Sequence, residues 1–360
     1  MKLETPPLNT SRKKWYMQLV GYLIAAALGL LAGAIFILVI GENPLTVYRI
    51  LVRGAFGSFN NIIISLRWSI PIILLALAVS FAYRAGIFNI GVEGQLFLGA
   101  LAGALAGIYL TGLGVFHLPA ALMLSALAGG LFALIPALLR VYSGVDEIVT
   151  TLMMDYVALY LTDFLVLSYF LPEGAMADIA TSRIASSAIL PAIFPPHPFN
   201  YGFILVILLC IICFYIFRRT VPGYQMNIRG ISRRFADYGG LPASKIALIS
   251  FIISGMIAGF AGGIEVLGAH HRFISRFGRG LGMDGILVAL LGKGHPLGVI
   301  GAGIFYAGLK NGGIVLERTI GIDRSIAVVI QAAIIIFITA QYLLENYFVK
   351  IVAAIRNREG

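Results

Sequence analysis

Two short stretches set an acid between glycines in otherwise apolar sequence. They are FNIGVEGQ, residues 88–95, and GMDG, residues 282–285. A charge at the centre of a bilayer costs at least ~2.5–3.5 kcal/mol on insertion scales. Flanking glycines interrupt a helix, and the backbone groups they free can be satisfied only by protein or by cavity water. Glu93 and Asp284 are therefore expected at helix breaks beside a polar path. An acid at a helix start also caps it, because the helix dipole favours negative charge there. The two roles are compatible, and the residues alone leave both open. Phe88, Asn89 and Gln95 stand beside Glu93 and offer a stacking face and amide groups; Phe88 reads equally as packing.

Other reactive patterns lack their partners. Cys210 and Cys213 have C-x-x-C spacing, but they lie in LLCIICFYIF with no His or acid nearby, so they read as small apolar residues of a span. In LLGKGHPLG, residues 290–298, Leu287 stands where a phosphate-binding loop needs its first glycine, and Gly294 where it needs Ser or Thr. This chain is not expected to hydrolyse ATP. His270-His271 lacks metal-ligand spacing, and no nucleophile–base–acid set stands out. The reading is of a transport protein rather than an enzyme, with no metal and no cofactor of its own.

Composition says what must position these residues. Of 360 residues, 59% are hydrophobic and only 12% charged, with a mean hydropathy of +0.94. Soluble proteins carry about 25% charged residues, so the chain is an all-α integral membrane protein. Apolar runs fall near 17–40, 66–83, 91–110, 118–140, 147–170, 200–217, 246–268, 284–292, 296–310 and 325–345. A span needs about 20 residues. The count is about ten crossings, with 284–292 a half-helix of a broken span and both termini cytoplasmic. Residues 1–16 and 346–360 form the tails, and 17–345 the membrane domain. The run after Arg12, Lys13 and Lys14 is too long for a signal peptide and reads as a retained first span.

The net charge of +10 fits lysine and arginine gathered on cytoplasmic loops rather than nucleic-acid binding. Of 26 Lys and Arg, 16 fall on segments assigned inside. HHRFISRFGRG, 270–280, is basic yet lands outside, so it meets an acidic partner there or the local topology differs. NPLTVYRILVRGAFGSF, 43–59, has the pattern of an amphipathic helix at the membrane interface. Residues 171–199 form an extracytoplasmic loop. Gly99, Gly103 and Gly107, like Gly255, Gly259 and Gly263, recur every four positions, a spacing that lets helices approach closely.

On this topology GVEG opens a span running outward and GMDG one running inward. A shared motif in opposite orientations predicts two inverted repeats, with the substrate path at their interface near the midplane. The longest cytoplasmic segment is 218–245. Within it ISRRFADYGG predicts a short helix carrying Arg233, Arg234, Phe235, Ala236, Asp237 and Tyr238. Gly239 and Gly240 end it and Pro242 prevents its resumption. It reads either as a solvated loop or as a docking element for a cytoplasmic protein.

GIFNIGVEGQLFLGALAGALAG, GYQMNIRGISRRFADYGGLPASK and GLGMDGILVALLGKGHPLG together resemble ABC-transporter permeases of the ribose/branched-chain amino-acid class. FNIGVEGQ is most similar to the nucleoside (simple sugar) uptake branch. The resemblance covers roughly 60–315. It implies an importer subunit of the bacterial plasma membrane, paired with a second permease that is often non-identical. It further implies cytoplasmic ABC ATPases that bind ATP and Mg, and an extracytoplasmic substrate-binding protein. Arg229, Gly230, Arg233, Phe235, Ala236, Tyr238 and Gly239 fall in the family's ATPase-coupling segment, whose asparagine and one alanine have no plain counterpart here. The implied fold is ten spans in two inverted halves. Neutral nucleosides need hydrogen bonds and stacking rather than a charge clamp, which makes Phe88, Asn89, Glu93 and Gln95, with Asp284, the candidate path residues. An ion-coupled secondary transporter, or an importer of sugars or branched-chain amino acids, is the alternative.

Overall fold

The computed structural model describes residues 27–172, 179–321, 328–333 and 336. Among them the fold is helical: α1 (Ala27–Val39), α2 (Pro44–Phe56), α3 (Phe59–Arg84), α4 (Val92–Tyr109), α5 (His117–Ser143), α6 (Glu147–Leu165), α7 (Gly202–Arg219), α8 (Val221–Ile231), α9 (Arg233–Tyr238), α10 (Ala243–Glu265), α11 (Leu281–Leu291) and α12 (Pro296–Ile320). Outside helices the only backbone bridges among the described residues are Ala180–Ile274 and Ala192–Asn200. Among the described residues, seven helices are long and apolar enough to cross a membrane, or eight if α1 and α2, bent by 118°, count as one span. Most of the run near 325–345 and both expected tails lie outside the described residues.

The chain divides into two units. The first, 1–55 with 309–360, is held by Ile37, Val47, Leu51, Leu316 and Ile330. Helix α2 appears where the amphipathic pattern put it. It buries Val47 and Leu51 in this cluster, and Asn311 donates to the Gly54 carbonyl at 2.9 Å. The amphipathic pattern thus serves protein packing as well as any interface.

The second unit, 56–308, holds the candidate site. Helix α3 starts where the Ser58 side chain accepts the Asn61 N–H, and it is buried over most of its length. Helix α6 starts on an Asp146 cap, and α5 stops at Gly144, whose φ of +68° is the left-handed conformation glycine tolerates. At the centre, α10 packs against α5, α4 and α3. Its glycine stripe makes this possible. Gly259 lies against the backbone of Gly129 on α5, and Gly99 on α4 lies against Gly259. Any side chain there would separate three helices.

Two segments between helices turn back into the bundle. After α3, residues 85–91 leave the end where α8 lies and climb to Ser254, midway along α10, before α4 begins. After α10, residues 271–280 return from the other end to Gly280, beside Glu93, before α11 begins. From that junction α4 packs along α10 and α11 packs along α3. Gly262 seats against Leu96, and Gly285 against Leu75. The half-helix expected at 284–292 is α11. The loop at 179–199 is more than a solvated strand: Ala180, Ile184, Ala188 and Leu190 are buried. Its Ala185 and Leu190 N–H groups donate to the Gly107 and Leu267 carbonyls.

Candidate functional site

The glycines of GVEG and GMDG bring two helix starts together. A helix start leaves backbone N–H groups without intrahelical partners, and at this depth water does not replace them cheaply. Glu93 supplies the acceptor for α11. Its Oε2 accepts from the N–H of Gly282 at 3.0 Å and of Gly280 at 3.0 Å, and its Oε1 accepts from Gly280 at 3.1 Å. Asp155, on α6, does the same for α4, accepting the Gly94 N–H at 2.7 Å. So Glu93 caps the helix of the other motif, not its own. A Cβ at Gly282 would stand 2.7 Å from that of Glu93, which is why glycine is needed there.

Asn89 and Gln95 are buried and bonded to each other. Asn89 Nδ2 donates to Gln95 Oε1 at 2.9 Å, and Gln95 Nε2 donates to Asn89 Oδ1 at 3.2 Å. Asn89 also donates to Ser254 Oγ at 2.9 Å, and Ser254 donates to the Ala78 carbonyl at 2.7 Å. This chain of bonds ties the break before α4 to α10 and α3. Phe88 is half-buried and edge-on to Tyr83, with ring centroids 6.2 Å apart. Asp284, also half-buried, accepts the hydroxyl of buried Tyr306 at 2.5 Å. Among the path candidates, then, Glu93, Asn89 and Gln95 gather at one junction, and Phe88, in the segment before α4, and Asp284, on α11, flank it.

Several charged groups here went unread in the sequence. Arg67 on α3 and Glu265 on α10 form a buried pair at 2.6 Å, with His270 Nε2 3.6 Å from the same carboxylate oxygen. Asp163 on α6 accepts from the Ser275 hydroxyl and from Arg276, whose Nη2 is 3.1 Å away. The basic stretch at 270–280 thus meets acids of its own chain, which removes part of the mismatch in its charge. Lone acids at 155, 163 and 265 inside apolar runs were the available signal, since intramembrane carboxylates are rare without partners.

At the far end of α10, the predicted short helix is α9, capped by Ser232, whose hydroxyl accepts the Phe235 N–H at 3.2 Å. Arg233, Arg234, Phe235, Asp237, Tyr238 and Gly239 are exposed, with Tyr238 91% exposed, whereas Ala236 is buried. Arg233 and Asp237 are 3.8 Å apart on the open face, a pair worth little. Arg229 differs from its neighbours. It is buried, donating from Nε to the Ala243 carbonyl at 2.9 Å and from Nη1 to the Ala85 carbonyl. Burial, and then the nearby Arg233 and Arg140, lower its pKa from the ordinary arginine value. It is a strut between α8, the start of α10 and the end of α3. No group of three or more His, Cys, Asp or Glu side chains able to hold a metal is found among the described residues.

Comparison with known proteins follows the same lines. Residues 61–339 match the family model described as branched-chain amino acid transport system / permease component. The chain is 35% identical over 322 residues to the guanosine ABC transporter permease protein NupP of Bacillus subtilis, covering 89% of this chain and 92% of that one. It is 31% identical to the nucleoside ABC transporter permease protein NupB of Lactococcus lactis, covering 90% and 91%. A second Bacillus subtilis protein, the guanosine ABC transporter permease protein NupQ, is 28% identical over 67% of this chain and 78% of its own. No solved structure matches the chain. With a family model matched over most of its length and near-full-length relatives above 30% identity, the chain belongs to the permease-component family of the branched-chain amino acid transport system and is a transport subunit, not an enzyme.

Proposed function

We propose that this chain is the membrane-spanning permease subunit of an ATP-driven nucleoside importer. Similarity to guanosine and nucleoside permeases over about nine-tenths of the chain carries the substrate class. The chain provides the path and the coupling surface. Cytoplasmic ABC ATPase subunits bind ATP and Mg, and an extracytoplasmic binding protein delivers the substrate. A second, non-identical permease completes the membrane domain; the two similar guanosine permeases of one bacterium support that pairing. The complex sits in the bacterial plasma membrane with both termini cytoplasmic and about ten crossings in each permease.

The junction of α4 and α11 supports a path through two inverted halves. In each half a long helix, α3 or α10, precedes a re-entrant segment and then the helix opened by the glycine–acid motif. Each motif helix packs on the long helix of the other half. Glu93 and Asp284, with Phe88, keep partial exposure and line the path; Asn89 and Gln95 hold the break open. ATPase closure moves α9, through Arg233, Arg234, Phe235 and Tyr238, and Arg229 passes that motion to the ends of α3 and α10. Substrate shifts the states only by its difference in affinity between them.

Uptake of labelled guanosine into cells with and without this chain, alongside its partner subunits, tests the reading. Uptake should require both the chain and ATP and survive collapse of the ion gradients. Uptake that follows the ion gradient instead would make the protein a secondary transporter.

A further inference from the structure

Helix α6 carries a stripe that lipid alone does not explain. With the turn that extends it to Phe170, α6 spans 24 residues, and Tyr156 and Tyr160 are its tenth and fourteenth. At 1.5 Å per residue they lie about 14 and 20 Å along a helix of about 36 Å, in the middle of the hydrocarbon. Both side chains are open, Tyr156 at 51% and Tyr160 at 62%. No hydrogen bond to either hydroxyl is made among the described residues. Tyrosines favour the headgroup level, where the phenol reaches water, and other open tyrosines obey this: Tyr109 ends α4, Tyr142 nearly ends α5 and Tyr201 precedes α7. A phenol facing acyl chains at mid-span would lack any partner.

The stripe also has polar neighbours. Tyr156, Tyr160 and Asp163 follow i, i+4, i+7 spacing and so share one face. Asp163 holds Ser275 and Arg276 of the second re-entrant segment. Asp155, next to Tyr156, holds the start of α4. Through Asp163 the stripe is continuous with the second re-entrant segment; Met153 and Phe164 border it, and Val157 and Leu161 lie farther round the helix, on the open apolar side suited to lipid.

We propose that Tyr156 and Tyr160 line the translocation path and contact the nucleoside, their rings stacking on the base and their hydroxyls bonding to its polar edge. This rests on the nucleoside reading above. Base–aromatic stacking commonly strengthens binding by roughly tenfold per ring, and buried phenols seek a hydrogen-bond partner.

The test uses the assembled complex in membrane vesicles, with Cys210→Ala and Cys213→Ala as background. A charged, membrane-impermeant methanethiosulfonate reagent should modify Tyr156→Cys and Tyr160→Cys but spare Val157→Cys. Saturating guanosine should slow that modification severalfold. In uptake, Tyr160→Leu should raise the half-saturating guanosine concentration about tenfold, and Tyr160→Phe less. Absence of modification at both tyrosine positions would overturn the path-lining role. Modification that guanosine leaves unchanged, in a complex whose parent takes guanosine up, would overturn the substrate contact. A parent complex that takes up no nucleoside would overturn the nucleoside reading instead, and thiol modification would still decide whether the stripe faces a polar path.

Discussion

The Glu93 carboxylate accepts the Gly282 N–H at 3.0 Å, so the acid of one glycine-flanked motif caps the helix opened by the other. Two helix starts face one another across a single carboxylate. Its charge is compensated by aligned N–H groups and by the positive end of α11. This is how an acid is kept within the bundle without a cation bonded to it.

Removing that cap is expected to loosen α11. Glu93→Ala leaves the Gly280 and Gly282 N–H groups without their acceptor and should lower stability by about 2–4 kcal/mol. Glu93→Gln keeps one acceptor oxygen and should recover part of it. Thermal unfolding of the purified complex in detergent reads both. An alanine variant as stable as its parent would remove the capping role.

The Asn89–Gln95 pair should behave as one unit. Either single change to Leu strands a buried amide, at about 1–3 kcal/mol. The double change removes both and should cost less than the sum, with a coupling of about 0.5–3 kcal/mol in a double-mutant cycle. Additive effects would mean that the two amides act separately.

Arg67 and Glu265 make a sharper contrast. Arg67→Met alone leaves Glu265 buried beside His270 and should destabilise by about 3–5 kcal/mol. Arg67→Met with Glu265→Leu should restore most of that, because no charge is left unpaired. Unfolding midpoints of the two variants at one pH decide it. If the double variant is no better than the single, the pair does more than neutralise itself.

The arginines of α8 and α9 should separate by burial. Arg233→Glu with Arg234→Glu changes open side chains and should leave unfolding within about 0.5 kcal/mol while reducing ATPase co-purification and guanosine uptake. Arg229→Ala removes the donors to Ala85 and Ala243 and should lower the unfolding temperature as well as uptake. Normal ATPase association and uptake in the double reversal would show that α9 is not the docking element.

Close packing at the centre gives a last expectation. Gly259→Val places two methyl groups where the backbones of Ser125 and Gly129 already stand. Overpacking of this kind costs about 1–3 kcal/mol, and the variant should yield less folded protein by fluorescence-detected size exclusion. The same change at Gly301, where a Cβ would meet nothing within 4 Å among the described residues, should be silent.

Local chemistry made much of this legible. Composition identified a membrane protein, the apolar runs located α3 to α7, α10 and α12, and glycine–acid–glycine marked the breaks before α4 and α11. Gly239 and Gly240 marked the end of α9, because a helix stop is read from neighbouring residues. The glycine stripes announced close packing without naming the partner. What no local pattern carried was pairing across distance. Glu93 lies 187 residues from Gly280, and Arg67 198 from Glu265; nothing in either neighbourhood points to the other. Asn89 and Gln95, six residues apart, could equally have faced a path or each other, and burial against Ser254 decided it. Arg229 and Arg233 look alike in the chain, yet one is a buried strut and the other an open charge. Residue type and spacing determined which groups had to be satisfied; only the tertiary arrangement determined by whom, because a buried polar group takes whatever partner the packing brings within about 3 Å.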